Sequence, residues 1–295
     1  MRVHKLAARL PSAVATVLAS TPLRVRNLLS NSAIVDGAGV EAVVSVTTHG
    51  HRIRSVYLAL ESIGRGTVRP ARFVLYLDQE WANRKLPASI MRLQARGLSV
   101  EFSPEPYGPH TKYYPYVSGI PSHTDPLITA DDDIIYPKWW LERLYGGHVR
   151  LPHAIMAYRV HKVRMTDGAI APYVSWRPAS DSDSSVLNFA TGVSGVVYPP
   201  HFLGRLKEAG DGFLACCPKA DDIWLHLVAL RTGTEVRQLD HKPKHFRVIP
   251  LTQKLALARG NTEYNGNDTQ IKKSYGDCDI DLLRQSATRF SIERK

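Results

Sequence analysis

Cysteine is scarce and poorly spaced for chemistry: the chain has three, the adjacent Cys216 and Cys217 and the remote Cys278. That pattern offers neither metal-ligand spacing nor an even disulfide framework, and it fits a reducing compartment. No apolar run reaches the roughly eighteen residues of a membrane-spanning helix, so the bulk of the chain stays out of a bilayer. Acidic residues are missing from the start of the chain, where Arg2, Lys5, Arg9, Arg24 and Arg26 all precede the first one, Asp36. Zinc-ligand spacing and RNA-binding aromatic motifs are also lacking, which disfavours a nucleic-acid-binding module, the alternative raised by the charge alone. A glycine-rich phosphate loop does not follow the first predicted strand, where the residues are Thr47-Thr48-His49-Gly50-His51. This counts against a sugar-phosphate nucleotidyltransferase, the other alternative.

What is present is an ordinary apolar share of 44% over 295 residues, enough to bury the core of one large α/β domain. The formal charge of +11 calls for an anionic partner without choosing one. Pro11 interrupts the apolar stretch from Leu10 to Leu23, and no small-residue cleavage site ends it, so a secretory signal is disfavoured. Leu6, Leu10, Val14 and Leu18 share one face of a basic amphipathic helix suited to an anionic membrane surface. A helix packed on the domain, or a frayed tail, fits the same residues. The expected location is cytoplasmic, with peripheral contact at the inner face of the cell membrane as the variant. The expected division is a basic segment over 1–35, a catalytic domain over 36–270 and a tail over 271–295.

From about Glu41 the pattern is regular. Ala42 to Val46 is a buried-strand run, and Ile53, Val56, Tyr57, Leu60 and Ile63 then recur at helical spacing. Phe73 to Leu77 with Asp78 behind it, the helical Ile90, Leu93 and Leu98, and the short Val100-Glu101-Phe102 repeat that grammar. Alternation of this kind predicts an α/β fold, a single Rossmann-like, mostly parallel sheet flanked by helices. Ligands then bind beyond the carboxyl ends of the strands, so Thr47 to His51, Asp78 and whatever follows the next strand should share a cleft. Later strands are expected at Ala154 to Tyr158 and Gly195 to Tyr198, and a helix at Ala220 to Leu230.

The next strand is followed by Asp131-Asp132-Asp133, set between two apolar runs. Several carboxylates at the end of a buried strand repel one another, and a divalent cation removes the conflict. Oxygen-only ligands suit Mg²⁺ or Mn²⁺. On an extended segment Asp131 and Asp133 point the same way, so Asp133 is assigned to the metal and Asp131 to the metal or a ribose, with Asp132 beside them on the donor side. Lys112, after a Pro- and Gly-marked loop, is placed to meet a diphosphate. The small residues Thr191 and Gly192 allow close backbone approach to a ligand. Asp221 and Asp222 open a predicted helix; one aspartate explains an N-cap, and the second invites a catalytic base, for which Asp222 is the candidate. His241 or His245 offers an imidazole as a third metal ligand.

The segments Val43 to Thr48 leading into Arg52, Phe73 to Leu77, Thr129 to Pro137, Thr191 to Pro200 and Ala220 to Leu225 resemble bacterial glycosyltransferases of surface-polysaccharide (capsule or exopolysaccharide) assembly. More distantly the chain is similar to glycosyltransferase family 2 and to the Fringe-like β-1,3-glycosyltransferases, which pair a triple-aspartate motif with a downstream acidic pair. The resemblance implies a GT-A fold, a nucleotide-diphosphate-sugar donor with UDP favoured, and inverting transfer to a glycan or lipid-linked acceptor. It gives Asp131 and Asp133 to metal and diphosphate, and leaves His245 as a candidate third ligand on the residue pattern alone. Asp222 takes base catalysis with Asp221 beside it, and Thr47 with Arg52 the nucleotide end. Thr191, Gly192 and Trp224 are expected on the acceptor side. Asn265 to Asp268 also resembles the family's C-terminal segment.

Overall fold

Alternate residues of the first strand go to opposite cores, which is what a sheet covered on both faces demands. In the computed structural model, which describes residues 9–249 and 266–293 (side chains of 18–249 and 266–288), β1 spans Val40–Thr47. Its Val43 faces one apolar layer, while Ala42, Val44 and Val46 face the other. β2 (Pro70–Asp78), β3 (Leu98–Ser103) and β4 (Leu127–Ala130) follow, then β5 (Ile155–Ala157), β6 (Val196–Tyr198) and β7 (Val236–Gln238). The seven strands lie in the order β7-β5-β6-β4-β1-β2-β3. All pairings are parallel except the two made by β6, which runs against both β4 and β5. The single, mostly parallel α/β sheet expected from the sequence is present.

The helices divide between the faces. Against one lie α2 (Val56–Gly64), α3 (Ala88–Gln94) and α5 (Trp140–Arg150), which contribute Val56, Leu60, Ile90, Leu93, Trp140 and Leu144. Against the other lie α4 (Tyr114–Gly119), α6 (Pro200–Ala209) and α8 (Asp221–Arg231), with the short α7 (Phe213–Cys216) between the last two. Every residue of α8 from Ile223 to Leu230 is buried, because α9 (Gly266–Ser274) and α10 (Asp277–Glu293) pack over its outer side through Ile271, Tyr275 and Leu283. Each fully buried Leu or Ile here contributes about 1.5–3 kcal/mol. Residues 271–288, assigned by the sequence to a tail, thus supply core side chains. The Gln253 to Asn265 stretch lies outside the described residues.

α1 (Arg9–Leu29) packs on α2 and α3, and its two faces differ. Ser20, Leu23 and Asn27 are buried, whereas Leu18, Val25, Leu28 and Leu29 are exposed, Leu18 at 67%. The anchor is Glu61, which is fully buried and accepts hydrogen bonds from Asn27 and Arg26 of α1 and from Arg96. A buried carboxylate needs such partners, and three donors supply them. Of the membrane-face residues expected from the sequence, Leu6 and the side chains of Leu10 and Val14 lie outside the described residues. Among the described residues no helix is long and apolar enough to cross a membrane.

Two topological facts position the site. β1 and β4 are neighbours, but their onward connections diverge, β1 leading to β2 and β4 leading away; clefts open at such switch points. Val46 pairs with Ala130, so Thr47 and Thr48 leave the sheet beside Asp131 and Asp132. Because β6 is antiparallel, its start lies at the same sheet edge as the ends of β4 and β5. That brings Thr191 and Gly192 to the site, with Gly195 held against Trp140. A Cβ on Gly195 would meet the indole at 2.7 Å, and its φ of +108° suits only glycine.

Candidate active site

Asp131-Asp132-Asp133 forms a tight turn between β4 and Ile134-Ile135, rather than the extended segment expected. The three carboxylates therefore divide between two cations, Asp132 and Asp133 sharing Arg52 and Asp131 going to Lys112. Asp132, only 5% exposed, accepts from Thr48 Oγ1 at 2.6 Å and from Arg52 Nη1 at 2.7 Å. The other nitrogen of the Arg52 fork, Nη2, lies 3.2 Å from Asp133 Oδ2. Asp131 Oδ1 accepts from Lys112 Nζ at 2.7 Å, and its backbone amide donates to Tyr136 Oη. Burial, with Asp131 and Asp132 alongside, pushes the Asp133 carboxyl up to about 6, more than the Arg52 charge offsets. Such crowding of carboxylates is what a hard divalent cation would relieve, and carboxylate oxygens are the donor type it takes. No cluster of three His, Cys, Asp or Glu side chains suited to a metal occurs among the described residues. Burial, with the charge of Arg159, lowers the pKa of His245.

Lys112 links the triad to the second acidic pair. Its ammonium is 2.7 Å from Asp131 and 3.8 Å from Asp221 Oδ2. Burial opposes its charge, but Asp131 and Asp221 prevail and hold its pKa well above the ordinary lysine value. The residue is fixed from behind as well. Ser45 Oγ donates to the Lys112 carbonyl at 2.6 Å. Two residues earlier, His110 stacks on Phe213 with ring centroids 3.9 Å apart and bonds Tyr113 Oη and the Cys217 carbonyl.

Asp221 and Asp222 occupy the first turn of α8, where neither side chain bonds its own helix terminus as an N-cap, that position being Ala220. Asp222 Oδ1 accepts from the Gly192 amide at 2.9 Å. A Cβ on Gly192 would stand 3.2 Å from that oxygen and 3.3 Å from Lys112 Nζ, so the small residue permits the close approach. Burial and the Asp221 charge push the Asp222 carboxyl up to about 8.

Two adjoining clefts result. One, about 300 Å³, is lined by Thr47, Thr48, His49, Arg52, Asp78 and Asp132. The other, about 600 Å³, is lined by Thr191, Gly192, Asp221, Asp222, Arg159 and His161 among others. Pro109, Lys112 and Asp131 belong to both and form the wall between them. Burial and Glu80 raise the Asp78 pKa at the edge of the smaller cleft. The Thr47 hydroxyl donates to the Tyr76 carbonyl, leaving its oxygen to accept.

Of the residues the sequence nominates, Thr47, Arg52, Asp78, Lys112, Asp131, Asp132, Thr191, Gly192, Asp221 and Asp222 line these clefts. Asp133 joins them through Arg52. Trp224 lines neither cleft: it is buried over Gly212 with its edge toward Phe213. Two residues along a helix is a turn of about 200°, so Asp222 at the cleft sends Trp224 to the opposite side. Residues not nominated include Arg159, His161, Tyr173 and Lys219. The signal for Arg159 was available, since it directly follows a predicted strand at the ligand-binding edge.

No protein-family model and no curated protein matches this chain. Among solved structures, residues 1–349 of TarS from S. aureus align with a TM-score of 0.45 and 12% identity over 70% of this chain and 59% of that one. The same protein in complex with UDP gives 0.44 and 12%. The mannosyltransferase PcManGT from Pyrobaculum calidifontis, in complex with GDP-Man and Mn²⁺, gives 0.45 and 13% over 79% of this chain and 64% of that one. This chain thus matches less than two thirds of the length of each of them. Function is read below from this chain's own residues.

Proposed function

We propose that the protein is a metal-dependent, inverting glycosyltransferase. It moves a sugar from a nucleotide-diphosphate sugar to a hydroxyl of a glycan or lipid-linked acceptor in cell-surface polysaccharide synthesis. The observation that carries this reading is the Lys112 wall: two clefts meet at one cation, with the aspartate triad on one side and Asp221-Asp222 on the other. A two-substrate transfer needs such an arrangement, because holding both reactants at one wall removes most of the entropic cost of their encounter.

The smaller cleft takes the nucleoside diphosphate, UDP being favoured, with Thr47, Arg52 and Asp78 at the nucleoside end. Lys112 meets the diphosphate as a fixed positive charge. Asp131 and Asp133 would hold Mn²⁺ or Mg²⁺, which when bound supplies charge neutralisation for the departing diphosphate. The larger cleft takes the acceptor, presented to Asp222 between Gly192 and Asp221. Asp222 accepts the hydroxyl proton: the Gly192 amide fixes Oδ1 and leaves Oδ2 for the substrate. A carboxylate raised toward neutrality is a stronger base than an ordinary one and suits that role.

The outward face of α1, with Leu18, Val25, Leu28 and Leu29 beside Arg24, is the proposed surface for peripheral contact with an anionic bilayer. Sedimentation with vesicles containing phosphatidylglycerol tests that contact. The transferase reading is tested by a thermal-shift screen of nucleotide sugars with and without Mn²⁺, since a ligand that binds only the folded state raises the melting temperature. The expected result is a metal-dependent rise for one nucleotide class. No response to any nucleotide sugar sinks the reading.

A further inference from the structure

The larger cleft contains a cation that the transfer just described does not use. Arg159 follows β5 at the sheet edge, and its carbonyl accepts from the Thr191 amide at 3.1 Å. The next amide, Gly192, holds Asp222, so Arg159 stands one backbone step from the proposed base. Among the described residues the guanidinium has no carboxylate partner. Nη2 donates to His161 Nε2 at 3.2 Å, while Nε is enclosed without a hydrogen-bond partner.

That single contact determines the histidine. A guanidinium can only donate, so His161 Nε2 must accept and the ring proton sits on Nδ1. His161 is 9% exposed, and its Nδ1 also lacks a partner. Burial and the Arg159 charge push its pKa down to about 4, keeping the ring neutral. Arg159 therefore brings one positive charge to the lining of the cleft, which also includes His161 and Lys219. Asp131, Asp221 and Asp222 line the same cleft, yet none of them pairs with Arg159, and an oxyanion seated against the guanidinium would supply the counter-charge.

We propose that Arg159, oriented by His161, anchors an oxyanion of the acceptor, so that the enzyme glycosylates an acidic sugar, either a uronate or a phosphorylated residue. This rests on the reading of the larger cleft as the acceptor site. The carboxylate or phosphate lies against the guanidinium fork, and the hydroxyl to be glycosylated is turned toward Asp222. An arginine suits this better than a lysine because its planar fork matches either oxyanion with two parallel hydrogen bonds.

The test is isothermal titration of the full chain with Mn²⁺ and UDP, or GDP, first titrated in to fill the donor cleft. Glucose, glucuronate and glucose 6-phosphate then follow as separate probes. The expected result is that at least one acid binds about tenfold or more tightly than glucose. The acid that does so identifies the carboxylate or the phosphate as the group recognised. Arg159→Gln should erase the preference, and Arg159→Lys should keep part of it. Equal affinity for glucose and both acids, undetectable binding of both acids, or a preference undiminished in folded Arg159→Gln overturns the proposal. Should Arg159→Gln fail to fold, the wild-type preference and the Arg159→Lys variant decide. If neither nucleotide binds in the first titration, the transferase reading fails instead, which separates the two claims.

Discussion

The backbone amide of Gly192 donates to Asp222 Oδ1 at 2.9 Å, tying the start of an antiparallel strand to the first turn of a buried helix. Asparagine at position 222 can accept the same hydrogen bond through its amide oxygen, so Asp222→Asn should fold while losing the base. Sugar transfer is expected to fall by about 10²–10⁴-fold, the usual worth of a positioned general base. The pH profile follows from the raised pKa. Below about 8 the free enzyme holds Asp222 mostly protonated, so kcat/KM should climb as pH rises through that value. A flat profile between pH 6 and pH 9, read alongside an active Asp222→Asn variant, removes Asp222 from the mechanism.

The metal assignment leads to a second expectation. Asp133→Ala should abolish donor hydrolysis and transfer with little change in melting temperature, because Asp133 contacts only one arm of the Arg52 fork while Asp132 keeps the other. Asp132→Ala should behave differently. It removes the acceptor of Thr48 and the nearer of the two carboxylates on Arg52, which keeps Asp133, and should cost about 1–3 kcal/mol of stability as well as activity. Chemical denaturation of both variants separates the roles, and full transfer in excess chelator disposes of the metal claim.

Much of this site was legible in the sequence because strand ends are. The apolar runs at 42–46, 73–77 and 127–130 marked parallel strands, and the residues just beyond them, Thr47, Asp78 and Asp131, do line the site. What the sequence could not show was the turn at 131–133, which sends Asp132 inward to Arg52 and Thr48 rather than alternating the three side chains as a strand would. Nor did it show the direction of β6. That strand's antiparallel course puts Thr191 and Gly192 at the shared edge, and direction is set by pairing with β4 and β5, not by local pattern. Trp224, expected on the acceptor side, lies about 200° round the helix from Asp222 and is buried in the core.

The docking of α1 depends on Glu61. Because this carboxylate is fully buried among Arg26, Asn27 and Arg96, Glu61→Gln leaves two guanidinium groups without their anion. Breaking a buried ion pair from one side typically costs about 3–5 kcal/mol. Urea denaturation should show a loss of that order, and limited proteolysis should find new cleavage near Arg24 and Arg26 as α1 loosens. An unchanged midpoint with α1 still protected would mean that Leu23 packing alone secures the helix.

His226 offers a test of the α8 packing that is independent of activity. Its Nε2 bonds the Val186 carbonyl at 2.9 Å and must therefore carry the proton, which leaves Nδ1 to accept from Tyr275 Oη at 2.6 Å. This neutral tautomer is built into the interface between α8 and the turn joining α9 to α10. Burial pushes the pKa down to about 4. The unfolded chain takes up that proton near the ordinary histidine value of about 6.5, and the folded one only near 4. Folding stability is therefore complete above 6.5 and declines as pH falls from there to about 4, by roughly 3 kcal/mol from this residue. His110, also driven down to about 4 by burial, adds to the same acid slope. The His226→Gln variant should be less stable at pH 7.5, where it loses one of the two hydrogen bonds, yet should lose less on acidification than the wild type. Melting curves at half-unit steps from pH 7.5 to 4 measure both effects. Parallel curves for the two proteins would show that His226 is not the group whose protonation loosens α8.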